Sequence, residues 1–464
     1  MAKANRVYKT EVPVKKNQEI QGEVIDITYQ GMGVVKIDNF PIFVVDAIPG
    51  EVVNLSITKV LKNYAFGRVL TRVQESPNRA EDVDKVAITT GIAPLANLKY
   101  EAQLTFKQHQ IEQMFKKVNV EVDVKPTLGM ENPTKYRNKA QVPVQLINGR
   151  LETGFYRRGS HKLVPTDDFY IQDPKVDEAV VVTRDILRDL GISAYDEETN
   201  KGVVRHIMAR RGYYSHELMV VIVTNTKKLP DATEIATRLQ AKLPELKSFI
   251  HNINNHDTNV IMGQWNETIW GANEIHDQLM DKDFVIGPNS FYQVNPQTTA
   301  TLYTLAAEKA GLKKTDIVVD AYSGIGTITL SIADKVKKIY GVEVVETAVE
   351  DAEKNAKNNH IENVSFVTAD APEQMVKWAE DGLKPNVVFV DPPRKGLTAE
   401  LISAVSAMKP ETFVYISCNP ATLARDAVQI LAEGFKIDGA VQPIDQFPQT
   451  THVESITVFK RVTD

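Results

Sequence analysis

The first part of the chain alternates short apolar stretches with turn residues. Gly31, Gly33 and the pair Pro49-Gly50 interrupt the apolar stretches, as expected at strand ends. The pattern predicts five strands, at Gly22–Thr28, Gly33–Ile37, Pro41–Val45, Glu51–Val60 and Ala65–Val73. Five short strands within about 55 residues are typical of a small OB-type barrel, a fold that often binds nucleic acid. A barrel that only packs against a neighbouring domain is the open alternative.

The middle of the chain mixes helical and strand patterns. Apolar residues recur at helical spacing over Tyr100–Val118, and a second helix is predicted over Asp177–Leu190, where Gly191 ends it. Asn148-Gly149 predicts the turn of one hairpin. A second hairpin is predicted from the strands Val203–Arg210 and Glu217–Thr224. Basic and aromatic residues lie at the tip of the second hairpin, namely Arg210, Arg211, Tyr213 and Tyr214, and Arg157, Arg158 and Lys162 follow the first hairpin. Such tips suit RNA phosphates and bases, and solvated loops have the same composition.

From Phe284 onward, strands and helices alternate, which is the signature of a parallel sheet covered by helices. The three patterns predict an α/β multidomain protein with three domains. Residues 1–74 form the OB-like barrel, residues 75–285 a central α+β domain, and residues 286–464 a Rossmann-like C-terminal domain. The helix near residues 100–118 is expected to pack on this last domain.

Composition narrows the class of protein. One cysteine in 464 residues excludes a disulfide framework and favours a reducing compartment, so we expect a cytoplasmic protein. No apolar stretch approaches the ~20 residues that span a membrane. The nine histidines show no metal-ligand spacing, so no metal is expected. The net charge is −6, but residues 1–73 hold ten basic and seven acidic residues, a balance that suits local phosphate contact.

A glycine loop follows the first predicted strand of the C-terminal domain. The run from Ile317 to Thr327 contains Gly324 and Gly326, which allow close approach of the backbone to a ligand. The next strand ends in Glu343, where a carboxylate typically accepts hydrogen bonds from ribose hydroxyls. The third strand ends in Asp370, placed to receive an adenine amino group. NAD would use the same carboxylate at Glu343, but a single Gly-x-Gly without a third glycine favours S-adenosylmethionine.

Two further strands end in residues of chemical interest. The fourth strand leads into Asp391-Pro392-Pro393-Arg394, and the fifth delivers the single cysteine, Cys418. A lone cysteine is more often a buried apolar residue than a nucleophile. However, C5 of uracil or cytosine needs activation before it can accept a methyl group, and a thiol can supply that activation. The combination predicts methylation of a pyrimidine carbon.

Five ordered motifs resemble the RNA uracil-C5 methyltransferase family, in its TRAM-bearing branch that acts on 23S ribosomal RNA. The motifs are Ser290–Asn295, Asp320 to Gly326, Asp391–Gly396, Ser417–Pro420 and His452–Glu454. The resemblance implies that Cys418 is the nucleophile and Glu454 the base, with Phe291 against the flipped base. It implies a cofactor site for S-adenosyl-L-methionine. The implied cofactor contacts are Gln293, Tyr322, Thr327, Glu343, Asp370 and Asp391.

Chemistry adds two expectations to these roles. A free thiol is only slightly ionised at neutral pH, so we expect some activation of Cys418. A carboxylate of ordinary pKa is a poor base, so burial must raise the pKa of Glu454. The partner is expected to be RNA, not DNA or a membrane, and the protein is expected to be a monomer.

The chain departs from many members of this family, which hold an iron–sulfur cluster on four cysteines. Asp84, Thr90 and Ala93 stand where three of them would be, with the fourth near Asp173. No iron–sulfur cluster is therefore expected. Two alternatives stay open: methylation of the transfer RNA T-loop uridine, and a non-catalytic RNA-binding or assembly factor on the same fold.

Overall fold

The computed structural model of the chain describes residues 12–462, so residues 1–11 of the predicted N-terminal domain lie outside it. The chain forms two compact units. The first contains residues up to 103 together with 449–451, and the second contains residues 104–448 together with those from 452 onward.

Five strands of the first unit close into a barrel, which confirms the predicted OB-like architecture. Their order around the barrel is β1-β2-β3-β5-β4. Their bounds are β1 Glu19–Ile27, β2 Gly33–Ile37, β3 Phe40–Val45, β4 Val52–Val60 and β5 Ala65–Gln74. Alternate apolar residues fill the interior, including the fully buried Val24, Ile42 and Leu55. A side chain at Gly33 would come within 2.6 Å of the Ala47 carbonyl, so this strand start requires glycine.

The first unit continues beyond the barrel. A short helix, α1 (Lys85–Thr90), is capped at its N-terminus by Asp84 and at its C-terminus by Gly91, which adopts a left-handed conformation. The amide of Gln103 donates hydrogen bonds to the carbonyls of Leu95 and Leu98 and to the side chain of Gln449. These bonds hold the segment in which the resemblance places three of the cluster cysteines of other family members. Gln103 lies in α2 (Tyr100–Lys117), as the helical spacing predicted.

A seven-stranded sheet forms the middle of the second unit, in the order β12-β11-β10-β9-β6-β7-β8. Its strands are β6 Lys139–Ile147, β7 Arg150–Tyr156, β8 Leu163–Pro165, β9 Val204–Arg211, β10 Leu218–Thr224, β11 Leu246–Ile253 and β12 Trp265–Gly271. Two helices, α3 (Pro174–Asp189) and α4 (Ala232–Lys242), pack against it. Both predicted hairpins are present. Helix α3 begins earlier than predicted because Asp173 caps it by accepting a hydrogen bond from the Lys175 amide.

The last part of the chain forms an eight-stranded sheet in the order β17-β16-β15-β18-β19-β22-β20, with β21 paired to β22. A separate hairpin, β13 (Ile275–Leu279) and β14 (Lys282–Ile286), precedes it. The sheet strands are β15 Ile317–Ala321, β16 Lys338–Glu343, β17 Val364–Thr368, β18 Val387–Val390, β19 Thr412–Ser417, β20 Phe435–Ile437, β21 Gln442–Ile444 and β22 Glu454–Arg461. The helices are α5 Pro296–Ala310, α6 Thr327–Ile332, α7 Glu346–Asn358, α8 Ala371–Glu380, α9 Ala399–Met408 and α10 Pro420–Ala432, with a 3₁₀ turn at Ala333–Lys335.

Strands β15 to β19 are parallel, and β22 runs antiparallel beside β19. Consecutive residues of β15 face different cores: Val318 packs into one apolar cluster and Val319 into the other. Helices therefore cover both faces, and the carboxyl ends of five strands meet at one edge, where ligands bind in such sheets. The predicted boundary at 285 falls inside β14, whose Phe284 belongs to the same core as Val318. The three-domain division stays a prediction.

Candidate active site

Cys418 and Glu454 lie opposite each other at the carboxyl edge of the eight-stranded sheet. Strand β19 ends at Ser417, whose register partner in β22 is Ser455. Cys418 is the residue after β19, and Glu454 is the first residue of β22. If the antiparallel register is continued by one residue, these two residues face each other. Residues of the two strands that directly oppose each other lie about 5 Å apart, so the thiol and the carboxyl group are neighbours.

Asp391 reaches the same edge from the next strand. The last residue of β18, Val390, pairs with Ala321 of β15 on one side and with Tyr415 of β19 on the other. Asp391 therefore lies between the glycine loop and the cysteine. A hydrogen bond connects the loop after Asp391 to the loop that contains Cys418. The side-chain amide of Asn419 donates it to the Arg394 carbonyl over 2.9 Å.

The surroundings of Cys418 disfavour its thiolate in the free protein. Burial raises the pKa of Cys418 to about 12, with contributions from the nearby carboxylates of Glu454 and Asp391. The Arg394 guanidinium acts in the opposite direction. The expected activation is therefore not supplied by the acidic neighbours of Cys418, and Arg394 is the cation that favours ionisation of the thiol.

Glu454 has the environment that a carboxylate base requires. The side chain is 5% exposed, and its Oε2 has no hydrogen-bond partner among residues 12–462. Burial raises the pKa of Glu454 well above its ordinary value, and the Asp391 carboxylate raises it further, while Arg394 opposes the shift. Burial together with the fully buried Asp320 raises the pKa of Asp391 to about 7. A proton is thus held more tightly by these carboxyl groups than by exposed ones.

The glycine loop forms a polar cradle between β15 and α6. Tyr322, Gly324 and Gly326 all have left-handed backbone conformations, with φ of 69°, 55° and 85°. The amide of Gly324 donates a hydrogen bond of 3.1 Å to Glu343 at the end of β16. Ser323 is buried, yet its hydroxyl has no hydrogen-bond partner within the described part of the chain. Its polar group is therefore available to a ligand.

The structure brings most of the predicted cofactor residues to this cradle. Gln293 is 7% exposed and interacts through its side chain with Tyr303, whose hydroxyl lies 3.2 Å from that of Thr327. Asp370 is exposed at the start of α8. Burial and the nearby charge of Asp370 raise the pKa of Tyr322 to about 12. The side chain of Phe291 is exposed, at 65%.

The sequence did not predict that Tyr303 contacts the candidate cofactor residues, because its pattern is that of a core residue. It lies on the buried face of α5, next to Leu302, and is itself 2% exposed. Burial and the charge of Asp391 raise its pKa. Its hydroxyl links Gln293 to the start of α6, and no motif in the sequence marks this role.

The residues at the positions where the resemblance places cluster cysteines have structural roles in this chain. Asp84 accepts a hydrogen bond of 2.9 Å from the Ala87 amide, and Ala93 is fully buried. Asp173 caps α3. In residues 12–462, no group of three or more histidine, cysteine or acidic side chains is arranged to hold a metal. No helix in this range is long and apolar enough to cross a membrane.

Comparison with known proteins agrees with this geometry. Residues 99–462 match the family model described as tRNA (Uracil-5-)-methyltransferase, and residues 13–70 match the TRAM domain. An uncharacterized RNA methyltransferase of Lactiplantibacillus plantarum is 52% identical, covering 98% of this chain and 99% of the relative. A second, from Enterococcus faecalis, is 47% identical, covering 97% of this chain and 99% of the relative.

A solved structure shares nearly the whole architecture. It is the tRNA (uracil-54, C5)-methyltransferase of Pyrococcus abyssi in complex with S-adenosyl-L-homocysteine, with a TM-score of 0.76 and 26% identity. The match covers 95% of this chain and 100% of that one. The chain therefore belongs to the tRNA (uracil-5-)-methyltransferase family and is an RNA uracil-5 methyltransferase with an N-terminal TRAM domain.

Proposed function

We propose that this enzyme methylates C5 of specific uridines in 23S ribosomal RNA and forms 5-methyluridine through a covalent adduct with Cys418. The observation that carries the proposal is the proximity of Cys418 and Glu454, one residue beyond the last pair of the β19–β22 register and beside Asp391. A nucleophile and a base on adjacent strands can act on the two neighbouring ring carbons of one uracil. Neither alone would complete the reaction.

The two residues act in sequence. The Cys418 sulfur adds to C6, a C–S bond forms, and the electrons of the C5–C6 double bond make C5 nucleophilic. C5 then takes the methyl group and still carries its original hydrogen. Glu454 removes that proton, its electrons restore the C5–C6 double bond, and the C–S bond breaks to release the thiolate. Atoms and charge balance, because C5 exchanges a proton for a methyl group that arrives without its bonding electrons; those electrons would stay on the cofactor sulfur and leave the thioether S-adenosyl-L-homocysteine.

The electrostatics of the site support this order of events. The carboxyl groups that raise the pKa of Cys418 also have raised pKa values themselves. Protonation of Asp391 removes one negative charge from the surroundings of the sulfur and so favours the thiolate. Glu454 must be ionised when it takes the C5 proton, and its raised pKa makes it a stronger base than an exposed carboxylate.

S-adenosyl-L-methionine fits the cradle on chemical grounds. The buried Ser323 hydroxyl and one oxygen of Asp320 lack hydrogen-bond partners among residues 12–462, and Gly324 leaves open space where a side chain would be. When bound, this cofactor supplies an electrophilic methyl group. We propose that the residues predicted from the sequence hold it, namely Gln293, Tyr322, Thr327, Glu343, Asp370 and Asp391, joined by Tyr303 at Gln293.

The target base must leave its stack to reach both Cys418 and Glu454. Extrusion costs a few kcal/mol in a helix and less in a loop, so an unpaired uridine is the natural substrate. We propose that the exposed ring of Phe291 packs against the flipped base. The single cysteine supports a reducing compartment, and we propose that the enzyme acts in the cytoplasm as a monomer.

Mapping of 5-methyluridine tests the choice of RNA. The proposal expects loss of the modification from 23S ribosomal RNA in cells that lack the gene, with transfer RNA unchanged. A second candidate is the transfer RNA T-loop uridine, favoured by the likeness to the Pyrococcus abyssi enzyme. Loss of the modification from transfer RNA alone would establish that candidate instead.

The covalent step is tested separately with RNA that contains 5-fluorouridine. Fluorine cannot leave C5 as a cation, so Glu454 has no proton to remove and the Cys418 adduct should persist under denaturing conditions. Absence of a denaturant-stable adduct, with methylation of ordinary RNA intact, would contradict the covalent route.

A further inference from the structure

The segment Tyr136–Lys139 lies between two loops that carry candidate site residues. On one side, the Asn138 amide donates a hydrogen bond of 3.0 Å to the carbonyl of Val294, next to Gln293. On the other, the Tyr136 hydroxyl donates a hydrogen bond of 3.0 Å to the Pro448 carbonyl, in the stretch that leads to Glu454. The segment therefore borders the proposed uridine site on two sides.

Three cations converge on this segment. Lys139 is the register partner of Arg210 in the antiparallel pair β6–β9, so their side chains are neighbours on one face. Arg137 precedes Lys139 by two residues and has the same side-chain direction in extended backbone. Arg210 is 2% exposed and donates 2.9 Å hydrogen bonds to the carbonyls of Gly287 and Ser290, which fixes the loop before Phe291.

These cations lack acidic partners. None of the three forms an ion pair with a described residue, although Arg211, the next residue after Arg210, pairs with Glu245 at 2.7 Å. Arg137 uses its Nε to donate to the Lys139 carbonyl, which leaves its two terminal nitrogens without a hydrogen-bond partner in residues 12–462. Burial, then the charges of Arg210 and Arg137, hold the pKa of Lys139 well below its ordinary value. An anion bound here would relieve this repulsion.

We propose that Arg137 and Lys139, backed by Arg210, bind a backbone phosphate of the RNA beside the uridine that is methylated. Two features favour a phosphodiester. Arg137 and Lys139 are only partly buried, whereas Arg210 is buried and is used to hold the loop. A guanidinium and an ammonium on one face together suit the several oxygens of a phosphate group. The inference rests on the proposed function, because it takes RNA as the substrate.

The test is RNA binding as a function of salt, with the full-length protein and a transcript of 23S ribosomal RNA. Removal of one phosphate contact lowers the slope of log affinity against log salt by about 0.7–0.9. We expect Lys139→Met to show this change together with about tenfold weaker RNA binding at physiological salt. Lys139→Arg should retain both the slope and the affinity. The affinity for S-adenosyl-L-homocysteine should be the same in all variants.

Lys384→Met is the matched control, because Lys384 is exposed just before the amino end of β18, at the opposite edge of the sheet. It should leave the salt slope unchanged. Equal slopes for Lys139→Met and Lys384→Met would overturn the proposal. So would weaker S-adenosyl-L-homocysteine binding with an unchanged RNA slope, since the anion would then be the cofactor carboxylate. A transfer RNA transcript assayed in parallel separates this result from the choice of substrate: the slope change would appear with whichever RNA is bound.

Discussion

Two groups of buried acidic side chains in this protein meet opposite electrostatic surroundings. In the barrel unit, the fully buried Glu51 and the partly buried Asp46 both pair with two arginines. Glu51 lies 2.5 Å from Arg79 and 3.4 Å from Arg72. Asp46 lies 3.2 Å from Arg79 and 2.7 Å from Arg72. Burial opposes ionisation of Asp46, but hydrogen bonds and charge from Arg72 and Arg79 outweigh it and lower its pKa. This cluster holds the fold together.

At the carboxyl edge of the eight-stranded sheet, the acids lack such partners among residues 12–462. Burial raises the pKa values of Asp320 and Asp391 to about 7 and that of Glu454 well above the ordinary range. Arg394 is the cation that lowers the pKa of Glu454, and it is exposed. The comparison indicates that a structural cluster neutralises its acids, whereas the proposed site for proton transfer keeps them unpaired at a cost in stability.

The largest expected effect follows from removing the proposed nucleophile. Cys418→Ala should reduce methyl transfer by a factor on the order of 10⁴ or more, because C5 cannot be activated without the adduct. RNA binding should stay within about twofold of the wild type, since the thiol carries no charge in the free protein. Filter binding and incorporation of labelled methyl groups measure the two quantities. Substantial methylation of uridine C5 by this variant would sink the covalent route.

Removal of the proposed base, Glu454, should stop the reaction one step later. Glu454→Gln should slow turnover by about 10²–10⁴-fold, the usual contribution of a general base. Because the C5 proton must leave before the sulfur can, the variant should accumulate a methylated RNA adduct that survives denaturing electrophoresis. Cys418→Ala is the control and should show no adduct. A slow Glu454→Gln variant without any adduct would place Glu454 outside this step.

Breaking the structural cluster should affect stability and not chemistry. Arg79→Met leaves Glu51 buried without its nearest cation, which should lower the free energy of unfolding by about 3–5 kcal/mol. Arg68→Met, an exposed arginine on the same barrel, is the matched control and should cost less than about 0.5 kcal/mol. Chemical denaturation followed by circular dichroism gives both values. Similar losses in the two variants would show that Arg79 stabilises the fold no more than an exposed arginine does.

The unpaired acids should make stability depend on pH. A carboxyl group whose pKa is higher in the folded than in the unfolded state binds its proton more tightly when folded. Stability is therefore greatest below the unfolded pKa of about 4 and falls as pH rises towards the folded pKa of about 7. Asp391→Asn should remove roughly 1–3 kcal/mol of this decline between pH 4 and pH 8.

Asp438→Asn, at an exposed position in the same unit, is the control for this smallest effect and should leave the pH dependence unchanged. Urea midpoints at several pH values provide the measurement. If Asp391→Asn and the wild type lose the same stability across this range, Asp391 is ionised freely and the raised pKa is wrong.

Local patterns were enough to predict most elements. Gly-rich and Pro-Gly turns indicated the five barrel strands, and helical spacing indicated α2. The ends of the elements were predicted less accurately than their presence. Helix α3 begins at Pro174 and not at the predicted Asp177, because its N-cap is Asp173, which precedes the apolar pattern. The hairpin β13–β14 was not predicted at all. Its strands are short, and their apolar residues pack into the core of the eight-stranded sheet, which no local pattern reveals.

The sequence by itself determined which groups are candidates for the chemistry, because the motifs around Asp391, Cys418 and Glu454 each lie at a strand end whose position follows from local patterning. Tertiary structure decided the environment of those groups. Lys107 and Asp445, 338 residues apart, form a buried ion pair, and Tyr303 meets Thr327 across two elements. Burial and charge pairing depend on distances through space. The shifted pKa values of the site, and the convergence of Arg137, Lys139 and Arg210 beside it, therefore arise only when the chain is folded.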